Sequence, residues 1–205
     1  MEIDLQSLYH KLQIKEEKRE RLLAYTRELI RISARCVKKI HQGDIERAKE
    51  LIEEATDLNL KITEFKDEIP EIYFPITFIG QQEYTEAASF LSIVTERRLP
   101  DYNTLHVEVE PYLTGLADMA GELKRYVIHL LKEGDLNKAE QYLDILDSIF
   151  DELMMFDFPE KMIPGLRKKM DGVRTMLDRV KTHMLITSEI RHLMEALNPE
   201  KGRDK

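Results

Sequence analysis

Apolar positions recur every three or four residues along most of the chain, and no stretch alternates convincingly with a period of two. That spacing predicts helices throughout. A weakly amphipathic segment, Leu5 to Ile14, reads as a short helix that docks late. The charged run Lys15 to Arg21 then opens a longer helix whose stripe is Leu22, Thr26, Leu29, Ile30, Ser33, Val37 and Ile40. Gly43 suits a left-handed stop, and Asp44 suits the cap of the next helix. That helix runs from Ile45 to Phe65, with Ala48, Leu51, Ile52, Ala55, Leu58, Leu60 and Ile62 apolar, and Pro70 closes it. Tyr73-Phe74-Pro75 reads as an aromatic turn into a helix entered at Gly80 and running to about Thr95.

Arg97-Arg98-Leu99-Pro100-Asp101 breaks the pattern, and Pro111 sits in the first turn of a helix reaching Lys132. Glu133-Gly134-Asp135 repeats the earlier Gly-Asp device, giving a second helical hairpin too far from the first for a tetratricopeptide-like array. Ala139 to Phe156 is the next helix, with Tyr142, Leu143, Leu146, Ile149, Phe150 and Leu153 inward. Ile163-Pro164-Gly165-Leu166 starts the longest helix, to about Leu197, with a seam of Leu166, Met170, Val173, Leu177, Val180, Met184, Ile190 and Leu193. Met154, Met155, Met176 and Met184 read as adaptable packing. The reading is all-α: one domain over 1–205, a bundle of about six or seven helices, with 198–205 a frayed tail. Several helices are apolar over more than one stripe, which points to contacts with other subunits.

Composition narrows the classes. The length suits one large domain or two small ones, and a net charge of −8 makes the whole molecule no obvious polyanion binder. Cys36 is the one cysteine, so no internal disulfide forms and a zinc site is disfavoured; this fits a reducing cytoplasm. The first residues lack the basic-then-apolar order of a signal peptide, and no apolar run approaches the roughly 18 residues of a membrane span. There is no Gly-rich phosphate loop.

Charge placement is more informative. Glu83 and Glu86 are three apart and share a helix face. Ile76, Ile79, Ala87, Phe90 and Val94 fall on the same side, so the carboxylates lie within the apolar stripe instead of opposite it. Like charges turned toward a core require a cation, a proton, or an Arg or Lys partner. Asp118 and Glu122 form a second pair, four apart, on another helix. Two helices each offering two carboxylates make an oxygen-only site suited to Mg²⁺ or Mn²⁺. In a charged helical protein such pairs are more often solvated surface; the apolar context of Glu83 and Glu86 argues for the site. Arg27, Arg31 and Arg35 line the side of their helix opposite the stripe, with Glu28 the only acid from Ala24 to Gln42. That face is either solvated or a track for phosphates. Arg97 and Arg98 are exposed or phosphate-facing.

The segment Gln82-Glu83-Tyr84-Thr85-Glu86-Ala87, followed by Tyr112-Leu113-Thr114-Gly115-Leu116-Ala117-Asp118-Met119-Ala120-Gly121-Glu122-Leu123, resembles the translin family, and most closely its translin-associated factor X branch. Thr26-Arg27-Glu28-Leu29, Ser33-Ala34-Arg35 and Ile40-His41 resemble the family's second helix, and Lys168-Lys169-Met170-Asp171 with Val173 to Val180 its last. The resemblance covers most of the chain. It implies an all-helical subunit of a closed octameric shell that binds single-stranded RNA, and DNA as an alternative. It also implies Mg²⁺-dependent RNA cleavage by acids matching Glu83, Glu86, Asp118 and Glu122. The Arg- and His-rich segment that translin carries before this helix is replaced here by Tyr73 to Ile79. RNA contact is therefore assigned to Arg27, Arg31, Arg35, Arg97 and Arg98. A long basic nuclear-targeting tail is absent, which fits a compact archaeal-type member, alone in its shell or joined by a paralogue.

Three readings follow. The first is a metal-dependent endoribonuclease in an oligomeric shell. The second is an all-α nucleotide pyrophosphatase, which also uses Glu-x-x-Glu and a later acidic pair around Mg²⁺. The third is a non-catalytic nucleic-acid-binding shell whose acids are structural. Activity on RNA against free triphosphates separates the first two. A ferritin-like di-iron site is disfavoured because the Glu-x-x-His pairs are missing.

Overall fold

The computed structural model describes residues 5–197. In chain order its helices are α1 (Leu5–His41), α2 (Ile45–Thr63), α3 (Phe65–Glu68), α4 (Pro70–Glu96), α5 (Tyr102–Leu105), α6 (Val109–Glu133), α7 (Leu136–Leu153) and α8 (Leu166–Leu197). Six are long and two are single turns, and no strand occurs among the described residues. None of these helices is long and apolar enough to cross a membrane. The final residues, expected as a frayed tail, lie outside the described set.

α4 and α6 form the centre. α1 and α2 pack against α4, while α7 and α8 pack against α6. One apolar cluster draws on all eight helices, from Leu22 and Leu29 in α1 through Phe90 in α4 and Leu123 in α6 to Leu177 in α8. Both glycines of the Gly-Asp devices act as the expected stops, but only one of the two aspartates caps its helix through its side chain. Gly43 and Gly134 adopt φ of 74° and 81°, a left-handed geometry that costs glycine little. Asp135 caps α7 through the Lys138 amide at 3.1 Å. Asp44 makes no such side-chain cap; its carboxylate instead accepts from Lys39 at 2.8 Å.

Several expected boundaries move. Pro70 does not close a helix; it opens α4 as the first helical residue, where its missing N–H is no loss. Tyr73-Phe74-Pro75 is therefore part of α4 and not a turn. Pro75 lies inside α4, where it leaves the Glu71 carbonyl without its helical donor, and the helix continues through it. α7 starts and stops three residues earlier than periodicity placed it, and α1, at 37 residues, exceeds the 32 of α8 as the longest helix. Leu5 to Ile14 is no separate docked helix but the exposed first turns of α1. Buried faces shift too: Ile32 and Cys36 replace Ile30 and Val37 in the innermost face of α1, and Asn59 replaces Leu60 in α2. Asn59 earns that place by donating to the carbonyls of Leu105 and His106, at 3.0 and 2.9 Å, which pins α5. The α8 seam is buried only to Val180; Ile190 and Leu193 are exposed, as is Met155. Cys36 is buried, its thiol pushed up to about 12 by desolvation, so it is no nucleophile.

The α4–α6 contact is set by two residues. Buried Gln81 donates to the Tyr73 hydroxyl and accepts from the Glu108 amide, both at 3.1 Å, which anchors the start of α6. One turn on, a Cβ at Gly115 would sit 2.6 Å from the Gln82 carbonyl oxygen and 2.7 Å from Thr85 Cβ. Only glycine permits that approach. Gly80 plays a similar part on the other face of α4, where a Cβ would meet Thr26 Cγ2 at 2.7 Å; it marks a helix crossing, not the helix entry expected from the sequence.

Gly115→Ala should therefore destabilise the fold by about 1–3 kcal/mol in urea unfolding, despite alanine's higher helix propensity. Gly121→Ala, in open space on the same helix, should be neutral or stabilising by up to about 1 kcal/mol. Equal effects at the two positions would refute the close-approach account.

Candidate active site

The close approach at Gly115 brings the two acidic pairs onto one wall. Glu83 and Glu86 project from α4, and Asp118 and Glu122 from the next turns of α6; all four are partly buried. Beneath them the core is closed by Ala87, Phe90, Met119 and Leu123, each fully buried. Ile79 was expected in the same stripe but is 49% exposed, because the buried side of α4 rotates through Thr77, Gly80 and Gln81 where α1 crosses it.

Electrostatics separate the four acids. Burial raises the Glu86 carboxyl to about 8, and the charges of Glu83, Asp118 and Glu122 add to this. Glu83 is raised for the same reasons, burial first and Asp118 second. Lys169, from the first turn of α8, opposes both shifts. Its Nζ donates to the two Asp118 oxygens at 2.5 and 2.6 Å. Glu122 behaves oppositely: hydrogen bonding from His41 is the main reason its carboxyl is held below the usual range, with Arg125 adding to it. His41 Nε2 lies 2.5 Å from Glu122 Oε2, and Arg125 donates to both Glu122 oxygens at 3.0 and 2.7 Å. With Glu122 ionised, Nε2 carries the hydrogen. The His41 ring rests on Phe90 at 5.1 Å between centroids, which fixes its direction.

His41, Arg125 and Lys169 were not picked out as site residues by spacing. His41 and Lys169 lie 81 and 51 residues from their partners, and only their membership of the family-like segments hinted at a role. Arg125 was findable, three residues after Glu122 on one helix face.

The donor set suits a hard divalent cation: it is all carboxylate oxygen, on two rigid helices, with a shortage of positive charge around Glu86. Among the described residues, no three Asp, Glu, His or Cys side chains are gathered in a ligating arrangement. Asp118 is turned to Lys169, and Glu122 to His41 and Arg125.

The expected RNA-contact arginines fall into two separate groups. Arg27, Arg31 and Arg35 are exposed along α1, with Arg31 paired to Glu28. At the end of α4, Arg97 takes a left-handed φ of 57° and lies over the Tyr142 ring at 5.6 Å. Arg98 is paired with Glu96 at 2.6 Å. Beside Glu122, a cleft of about 440 Å³ is lined in part by His41, Tyr126, His129, Lys138 and Tyr142.

These features define an all-helical subunit with a carboxylate-lined wall between its two central helices. The chain belongs to the translin family, whose pattern it matches over residues 17–186. It is 31% identical over 199 residues to the uncharacterized protein MJ0175 of Methanocaldococcus jannaschii, covering 93% of this chain and 84% of that one. Among solved structures it resembles AfC3PO, with a TM-score of 0.87, 34% identity, and 92% and 99% of the two chains covered. A complex of AfC3PO with duplex RNA matches equally well, at 33% identity and a TM-score of 0.87 over 92% and 98% of the chains. Apo-NeC3PO matches with a TM-score of 0.82 and 26% identity over 91% and 98%.

The raised Glu86 value makes a pH prediction. A carboxyl that holds its proton more tightly folded than unfolded contributes stability below the ordinary glutamate range, and this is lost as pH rises toward about 8. The stability difference between wild type and Glu86→Gln should change by up to about 1.4 kcal/mol per pH unit across that window, favouring wild type on the acid side. A difference independent of pH between about 5 and 8 would show that Glu86 titrates normally.

Proposed function

We propose that this protein is an RNA-binding, divalent-metal-dependent endoribonuclease that works as an oligomeric shell. The single observation carrying this reading is the wall of four carboxylates from α4 and α6, in which Glu86 is pushed far above its ordinary range by burial and by its three acidic neighbours. A buried carboxyl crowded by like charges is costly in the absence of a counter-charge. In a cation-binding cluster that cost is recovered when the cation arrives. Glu83, Glu86, Asp118 and Glu122 would hold Mg²⁺, or Mn²⁺ in its place. When bound, the ion supplies an activated water and offsets charge on the scissile phosphate.

The chain's own residues do the rest. Glu83 and Glu86 hold their place because α4 is locked on both faces, at Gly80 and at Gly115. His41 and Arg125 keep Glu122 ionised and aimed. The cleft beside Glu122 offers tyrosine rings, His129 and Lys138 to a bound nucleotide. Arg27, Arg31 and Arg35 on α1, and separately Arg97 and Arg98 at the end of α4, offer two patches of positive charge to the phosphate backbone. Similarity to AfC3PO, whose structure in complex with duplex RNA is known, supports RNA as the polymer and extends the expected strandedness from single-stranded to duplex. Family membership favours RNA over free nucleoside triphosphates as substrate.

Assembly is supported by two apolar surfaces left uncovered by the described residues. One is Leu5, Leu8, Tyr9 and Leu12 on the first turns of α1. The other is Leu185, Ile186, Ile190, Leu193 and Leu197 on the distal half of α8. Both follow helical spacing and are far more exposed than surface apolar residues of a monomer need be. A homo-octamer accounts for them, with a paralogous subunit as the variant.

Purified protein should cleave RNA with Mg²⁺ and not with chelator. Glu86→Gln and Asp118→Asn should each lose cleavage while binding RNA as tightly as wild type or more so. Cleavage at the wild-type rate in both variants would leave a non-catalytic RNA-binding shell as the reading. Light scattering should give a mass near eight times 24.2 kDa; a monomer at micromolar concentration would remove the enclosed chamber.

A further inference from the structure

Lys169 has a position that a simple interhelical tie does not require. It sits in the first turn of α8, next to the buried residues Leu166 and Met170 that seat the helix on the core. Its ammonium is shared between both oxygens of Asp118, and the two side chains are only 28% and 25% exposed. The basic groups around the wall are divided unequally. His41 and Arg125 both serve Glu122. Among the described residues, that leaves Lys169 as the one basic side chain bonded within the Glu83, Glu86 and Asp118 part of the wall. The neighbouring Lys168 is exposed and Arg167 likewise; neither is bonded to the acids.

A divalent ion entering this part of the wall therefore meets Asp118 with both oxygens already occupied. A compact, strongly hydrated ammonium on a flexible four-carbon stem is well suited to hold a carboxylate and then release it, unlike the rigid fork of an arginine. We propose that Lys169 is a built-in counter-cation: it holds Asp118 in the metal-free subunit, competes with the divalent ion for it, and yields it when the ion binds. The inference rests on the metal-site reading above and adds the residue that sets the site's affinity. Freed from Asp118, the ammonium stays tethered at the edge of the wall, where a phosphate of the bound RNA is its natural next partner. The alternative is an ordinary half-buried ion pair tying α8 to α6, which metal binding leaves undisturbed.

The test is Mn²⁺ binding to the intact protein without RNA, followed by the paramagnetic signal of free Mn²⁺ and by the Mn²⁺-induced rise in Tm. Lys169→Met should bind Mn²⁺ about 10-fold tighter than wild type and show a larger Tm rise, since Asp118 is no longer contested. Lys169→Gln, which keeps hydrogen-bonding capacity without charge, should tighten binding in the same direction and serves if the methionine variant folds poorly. Lys168→Met removes the same charge from an adjacent, unbonded position and should bind as wild type does. The tightening should persist at 0.5 M salt, where a distant field is screened on the order of a few ångströms. Equal Mn²⁺ affinity in wild type and both Lys169 variants would overturn the competition while leaving the metal site intact. Equal tightening by Lys168→Met would reduce it to a general field effect and overturn it too. Absence of Mn²⁺ binding in wild type and all variants would overturn both this inference and the metal-site reading.

Discussion

The close approach of α4 and α6 at Gly115 is the constraint from which the candidate site follows. With a Cβ at that position the helices would have to separate, because the obstacle is the Gln82 backbone carbonyl and the Thr85 Cβ, not the end of a flexible side chain. Helices held this near carry their next turns into the same space. Those turns bear Glu83 and Glu86 on one side and Asp118 and Glu122 on the other. Gln81 helps set the register, since its side chain donates to the Tyr73 hydroxyl and accepts from the amide of Glu108, the residue just before α6. A slip of one residue in α6 would rotate Asp118 by about 100° and dissolve the wall.

Crowding four acids has an electrostatic cost, and the molecule meets it in three distinct ways. Glu122 receives a histidine and an arginine and stays ionised. Asp118 receives a lysine from a third helix. Glu86 receives no bonded partner and takes up a proton instead. The group with the least compensation lies deepest, between the other three. In a purely structural cluster the burial would have fallen on the best-paired acid, because an unpaired buried carboxylate is the costliest choice.

The same subunit is unfinished elsewhere. The outer turns of α1 and α8 carry exposed leucines and isoleucines at helical spacing, and Met155, Phe158 and Met162 between α7 and α8 are exposed as well. An apolar stripe on a helix is stable in water only against another surface. The acidic wall and the apolar arms thus occupy different parts of the molecule: the wall lies between the central pair of helices, and the exposed apolar stripes lie on α1 and α8.

Helical periodicity, the Gly-Asp turns and the two acidic pairs were legible in the sequence because each depends on residues within a few positions of one another. So was family membership, since the motif around Asp118 and Glu122 is local. Pro70 and Pro75 misled the reading because proline's effect depends on its setting: Pro70 opens α4 at its first position, and the helix continues through Pro75 in its second turn. Ile79, Ile190 and Leu193 were placed inside by spacing alone, yet which side of a helix is covered depends on its neighbours. Gly80 and Gly115 looked like breaks or motif letters until packing revealed them as points of contact. Local sequence determined which residues could share a helix face. Only tertiary structure decided which faces meet, and so brought His41 to Glu122 and Lys169 to Asp118: an ion pair across 51 or 81 residues leaves no periodic trace, because it is made by the approach of helices and not by spacing along one.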